Sequence, residues 1–89
     1  MSTLHTVRSW AHFFDAIVAG KKTHDLRKDD RNFQVGDVLR LERYDNIAGQ
    51  LTGEWALVDV TYITNRNAPC AFSSSVLEPG YCILSIQLR

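Results

Sequence analysis

The chain has 89 residues, of which 45% are hydrophobic and 22% charged, with ten basic side chains balanced by ten acidic ones. That length excludes two domains with separate cores, and that composition excludes a disordered tail. With no net charge, no chain-wide field draws the protein to nucleic acid or an anionic membrane, so any such partner has to be met by a local patch.

The N-terminus, Met1-Ser2-Thr3-Leu4-His5, lacks the basic segment and apolar run of a secretory signal, and no apolar run approaches membrane-spanning length. The expectation is a cytoplasmic protein, one domain over residues 1–89, with no membrane partner. Cys70 and Cys82 have no CxxC spacing and no His at zinc-ligand intervals, so they read as two reduced thiols. Neither a metal nor a cofactor is expected.

In chain order, Leu4 to Arg8 alternates weakly and reads as a short strand. Ser9 is a natural N-cap, and Trp10, Phe13, Phe14, Ile17 and Val18 then draw one apolar stripe along a helix. Gly20 ends it, since a residue without Cβ enters the left-handed C′ conformation at little cost. On this reading the helix closes the core, and Phe13→Ala should cost roughly 3–5 kcal/mol.

The stretch from Gly20 to Arg31 carries five of the ten Lys and Arg residues. Lys22 to Lys28 reads as a strand with Lys22, His24, Leu26 and Lys28 on one face and Thr23, Asp25 and Arg27 on the other. Leu26 is its single apolar anchor. Lys28 to Asn32 is polar loop, with Asp29 structural and Asp30 and Arg31 able to cap turn amides.

Val35-Gly36-Asp37 turns into a strand from Val38 to Tyr44, whose alternation sets Leu39, Leu41 and Arg43 apart from Val38, Arg40, Glu42 and Tyr44. Asp45 to Gly53 reads as a hairpin connection. Trp55 to Thr64 is a strand rich in β-branched and aromatic residues, with Val58, Val60, Tyr62 and Thr64 as the core face. Asn65 to Pro79, with Ser73-Ser74-Ser75, is a loop; Glu78-Pro79-Gly80 is a turn; Tyr81 to Leu88 is the last strand. One amphipathic helix among about five mostly antiparallel strands implies an α+β fold, and economy favours curling so small a sheet into a barrel.

Phe13-Phe14-Asp15-Ala16-Ile17, Gly20-Lys21-Lys22-Thr23, Asp25 to Arg31, Phe33, Val35-Gly36-Asp37, Val60-Thr61-Tyr62-Ile63, Leu77 to Tyr81 and Leu84-Ser85-Ile86 together resemble small phage and bacterial ASCH-like domains over nearly the whole chain. That resemblance implies the PUA-like superfamily: a small pseudo-β-barrel with helices packed on it and a cleft suited to RNA or a nucleoside. Relatives that hydrolyse acetylated cytidine use a Lys after the helix-ending Gly, a Thr on the next strand and a later Glu. Lys22 matches the Lys; Asp25 stands where the Thr is expected, with Thr23 two residues earlier, and Glu78 is the nearest Glu. His24 replaces an expected aromatic.

Three readings follow. The first is an RNA- or nucleotide-binding domain using Lys22, Thr23, Asp25, Arg27 and Arg31, with Trp55 as a stacking platform. The second is a metal-independent ribonuclease or modified-nucleoside amidohydrolase with Lys22 and Asp25 as its acid/base pair. The third is a phage-type factor that captures a host protein through residues 65–77. His5 could join Lys22 and Asp25 if the first two strands pair. No GxSxG elbow, phosphate-cradling glycine loop or metal motif occurs.

Overall fold

The computed structural model describes residues 2–65, 77–78 and 80–89. The chain runs β1 (Leu4–Trp10), α1 (Ala11–Val18), β2 (His24–Lys28), β3 (Val38–Asp45), β4 (Gln50–Asn65) and β5 (Tyr81–Leu88). The strands form one sheet in the order β1-β3-β4-β5-β2.

The sheet is mixed, which corrects the mostly antiparallel expectation at one place: β1 and β3 are parallel, from Leu4 beside Val38 to Trp10 beside Tyr44. A parallel pair needs a crossover rather than a hairpin. Here residues 11–37 supply it, laying down α1 and carrying β2 to the far edge before β3 returns beside β1. The other three pairings are antiparallel.

In a flat sheet the edge strands β1 and β2 would lie about 19 Å apart, four strand spacings. Yet Arg27 Nη2 on β2 donates to the Arg8 carbonyl on β1 at 2.6 Å. The sheet therefore curls until its edges face each other. No ladder joins them among the described residues, so the form is a half-barrel with a seam rather than a closed barrel.

The inner face follows the strand alternation, and on β4 it is the Val58 and Val60 side, as expected. Leu39 and Leu41 of β3, Val58 and Val60 of β4, and Cys82, Leu84 and Ile86 of β5 are buried together with Val7, Phe14, Ile17 and Phe33. Two irregularities interrupt the alternation. Between the Glu42–Trp55 and Tyr44–Leu51 pairs one residue of β3 spans three of β4, and Gly53 there takes φ +91°, which a side chain would strain. Between Val60 and Tyr62, Thr61 is an extra residue against the consecutive partners Ile86 and Ser85. That bulge reverses the faces beyond it, so Tyr62 is exposed and Ile63 packs on the core.

The helix departs from expectation at its start and on one shoulder. Ser9 does not cap it: the β1–β3 ladder continues through Ser9 and Trp10, Ser9 is buried, and Trp10 takes the N-cap position without a side-chain cap. Phe14 and Ile17 are its buried residues, because the helix packs mainly on β3 and β1. Phe13 is 42% exposed, so its expected core role and large truncation cost are withdrawn. The C-terminus forms as expected: Gly20 at φ +76° lets its amide bond the Ile17 carbonyl and Lys21 the Ala16 carbonyl, a Schellman closure. Arg43 then ties helix to sheet, donating to both Asp15 carboxylate oxygens at 2.9 and 3.0 Å. That pairing holds the Asp15 carboxyl below its ordinary value.

Candidate ligand-binding groove

Strand β2 is extended as expected, but its faces are reversed. Asp25 pairs with Leu84 and Arg27 with Cys82, and laterally paired side chains share a face, so both polar residues point inward with two fully buried ones. Leu26, the expected apolar anchor, is 58% exposed, and His24 beside it is exposed too. Hydropathy misreads this strand because its interior partners are other polar groups: Arg27 Nε donates to Asp25 Oδ2 while its Nη2 reaches the Arg8 carbonyl. Burial of the carboxylate is offset by this charge-assisted contact.

The loop after β2 is held by two aspartates. Asp29 accepts the Phe33 amide at 3.1 Å, as its structural reading implied. Asp37 is 2% exposed and accepts from the Thr3 and Gln34 amides and from His5 Nε2, at 3.0, 2.9 and 2.9 Å. A carboxylate has only acceptors, so His5 is the donor in that contact. Burial pushes the Asp37 carboxyl up, but the His5 and amide hydrogen bonds outweigh it and the net shift is downward. The capping expected of Asp30 and Arg31 is thus done by Asp29 and Asp37. His5 belongs to this buried pair and packs edge-on against Phe33 at 4.9 Å, not in a group with Lys22 and Asp25.

Between the free edge of β1 and this loop lies a groove of about 560 Å³. Thr6 and Arg8 of β1 form one wall with Glu42 of β3, and Arg27, Lys28 and Arg31 form the other. The lining holds four basic side chains, Arg8, Arg27, Lys28 and Arg31, against two acidic ones, Asp30 and Glu42. Arg8 also lies 4.8 Å above the Tyr44 ring, which fixes its guanidinium at the rim. A hollow of about 250 Å³ adjoins the groove and shares Arg8, Leu26 and Arg27 with it.

Of the residues singled out in the sequence, Arg27 and Arg31 line the groove, and Asp25 lines the adjoining hollow. Lys22 Nζ instead donates to the His24 carbonyl at 2.6 Å and lies 5.3 Å from the Phe13 ring centroid. Thr23 offers its carbonyl to the Ile86 amide. Trp55 is on the outer face of β4 beneath the Arg40 guanidinium, 4.1 Å from its ring centre, outside the groove lining. Arg8, Thr6, Lys28 and Glu42 were not chosen from the sequence as site residues. The alternation Leu4, Thr6, Arg8 held the signal for Arg8, since it placed that arginine on a face with no buried neighbour. The cysteine, serine-run and partner-loop expectations at residues 66–76 lie outside the described residues. Cys82 is buried, and desolvation lifts its thiol to about 11, so it stays protonated at neutral pH.

The description "Domain of unknown function (DUF3850)" matches residues 4–86, from the start of β1 to the last buried residue of β5. The chain belongs to the DUF3850 family. It is also similar to an uncharacterized 12.9 kDa protein in the GpA 3′ region of Escherichia phage P2, with 35% identity over 65 residues. That match covers 73% of this chain and 58% of the phage protein, so the chain spans less than two thirds of this relative's length. No helix among the described residues is long and apolar enough to cross a membrane.

Proposed function

We propose that the protein binds a phosphate-bearing ligand, single-stranded RNA or a nucleotide, in the groove along the β1–β2 seam. The observation that carries this reading is the convergence of Arg8, Arg27, Lys28 and Arg31, contributed by three separate segments, on one concavity large enough for a nucleotide. Arg27 is engaged by Asp25 and serves as a fixed wall. Arg8, Lys28 and Arg31 are the cations able to meet phosphate oxygens, Arg31 being only loosely approached by Asp30 at 4.0 Å. The likeness to ASCH-like domains supports the same class of ligand.

Titration of isotopically labelled protein with a short single-stranded oligoribonucleotide tests this. Amide shifts should centre on β1, β2 and residues 28–33, and Arg8→Ala and Arg31→Ala should each weaken binding about tenfold. With about three phosphates contacted, log affinity should fall against log salt with a slope of roughly −2. Shifts confined to the outer faces of β3 and β4, or an affinity indifferent to salt, would overturn the reading.

A further inference from the structure

The 250 Å³ hollow differs in chemistry from the groove it adjoins. One side is shared with the groove, through Arg8 and Arg27; the other is Trp10 and Phe13. These rings are 50% and 42% exposed, lie 6.2 Å apart between centroids, and are within 15° of parallel. Phe13 is braced from behind, by the His12 ring at 4.1 Å and by the Lys22 ammonium 5.3 Å from its centre. Two aromatic side chains left this exposed forgo roughly 25 cal/mol per Å² of burial stabilisation, and no element among the described residues covers them. The charged groups beside them, Arg8 and the Asp25–Arg27 pair in the lining and Lys22 at the Phe13 ring, decide what could. An apolar partner helix would have to desolvate them, whereas a planar group carrying a negative charge uses both features at once.

Resting on the proposed function, we infer that Trp10 and Phe13 form a stacking shelf for one base of the ligand, with the phosphate that links it to the next nucleotide at Arg8, on the border shared with the groove. The site then takes at least two nucleotide units of a single strand. A lone phosphate or mononucleotide fills only part of it. Stacking reads no hydrogen-bonding edge, so the shelf tolerates any base and favours purines by their larger π-face.

The test uses the full chain in a Trp55→Phe background, which leaves Trp10 as its single tryptophan. Inorganic phosphate, adenosine monophosphate, adenylyl-adenosine and hexa-adenylate are titrated while Trp10 emission and affinity are followed. The dinucleotide should quench Trp10 and bind at least tenfold more tightly than the mononucleotide, and phosphate alone should not quench. Phe13→Leu and Trp10→Leu, which keep apolar bulk and remove the ring, should each weaken dinucleotide binding about tenfold, with Phe13→Tyr restoring it. Circular dichroism establishes that each variant is folded, and Phe13→Leu decides if Trp10→Leu is not.

Dinucleotide binding unchanged within twofold in Phe13→Leu, while Arg8→Ala weakens it about tenfold, overturns the shelf and leaves the groove reading standing. If sedimentation shows the parent protein to self-associate and Phe13→Leu abolishes that with nucleotide affinity intact, the surface is a protein contact, which also overturns it. Failure of the parent protein to bind any of the four probes removes both readings.

Discussion

The two halves of the half-barrel solve the same problem by opposite means. Across β3, β4 and β5 every strand has a neighbour on each side, so backbone groups are satisfied by ladders and the inner face is filled by Leu39, Leu41, Val58, Val60, Cys82 and Leu84. At the β1–β2 seam no ladder forms among the described residues, and the Arg27 side chain, braced by Asp25 on its own strand, reaches across to the Arg8 carbonyl, while Asp37 ties His5 and the Thr3 amide to the turn before β3. An unpaired edge leaves polar backbone needing partners, and the charged groups recruited there also create the concavity. Buried apolar side chains are concentrated in one half and charged groove-lining ones in the other.

Truncations on the two sides should break this contrast most sharply. Phe14→Ala and Leu41→Ala, which remove buried side chains, should each cost about 2–5 kcal/mol in denaturant unfolding. Phe13→Ala and Leu26→Ala, beside the seam, should each cost less than about 1.5 kcal/mol. Equal costs would mean that the exposed side chains are packed after all.

A smaller effect is expected at Asp37. Asp37→Asn leaves three donors facing a group that is half donor itself and should cost about 1–3 kcal/mol at neutral pH. The wild-type carboxyl titrates below its ordinary value of 3.8, so its contribution is complete above that value and is lost as pH falls through the depressed pKa. The gap in unfolding free energy between wild type and Asp37→Asn should therefore narrow as pH drops below about 4. A gap that stays constant across that range would remove Asp37 as its source.

The smallest effect belongs to the sealed half. In a Cys70→Ser variant, Cys82 should react with a thiol reagent only as fast as the protein opens, because its thiol is both buried and protonated. Fast labelling under native conditions would show that β5 is open to solvent.

The sealed half was largely legible in the sequence because alternation is a hydropathy signal: Leu39 and Leu41, and Cys82, Leu84 and Ile86, fall on single strand faces, and Val58 and Val60 on an expected core face, without knowing their partners. The seam was not. Leu26 looked like an anchor, but the face of β2 is set by its register on β5, more than 50 residues later, and no local pattern encodes that. Tyr62 was misplaced because one inserted residue, Thr61, reverses the alternation without leaving a glycine to mark it. Arg27 and Arg31 were selected from their clustering. Arg8 was overlooked because a lone arginine on a short strand resembles any solvated one until a groove is seen beside it.

The strand order also governs when the groove can exist. Strand β2 lies in the first third of this sequence, yet its only ladder partner among the described residues is β5, more than 50 residues further on. Loop closure over that span has to precede any pairing, which makes this contact the slowest part of the topology to form. Without Tyr81–Leu88 the chain can still bury Leu39 against Val58, but it holds no edge for Arg27 to project from, so the groove is complete only once that eight-residue strand has paired.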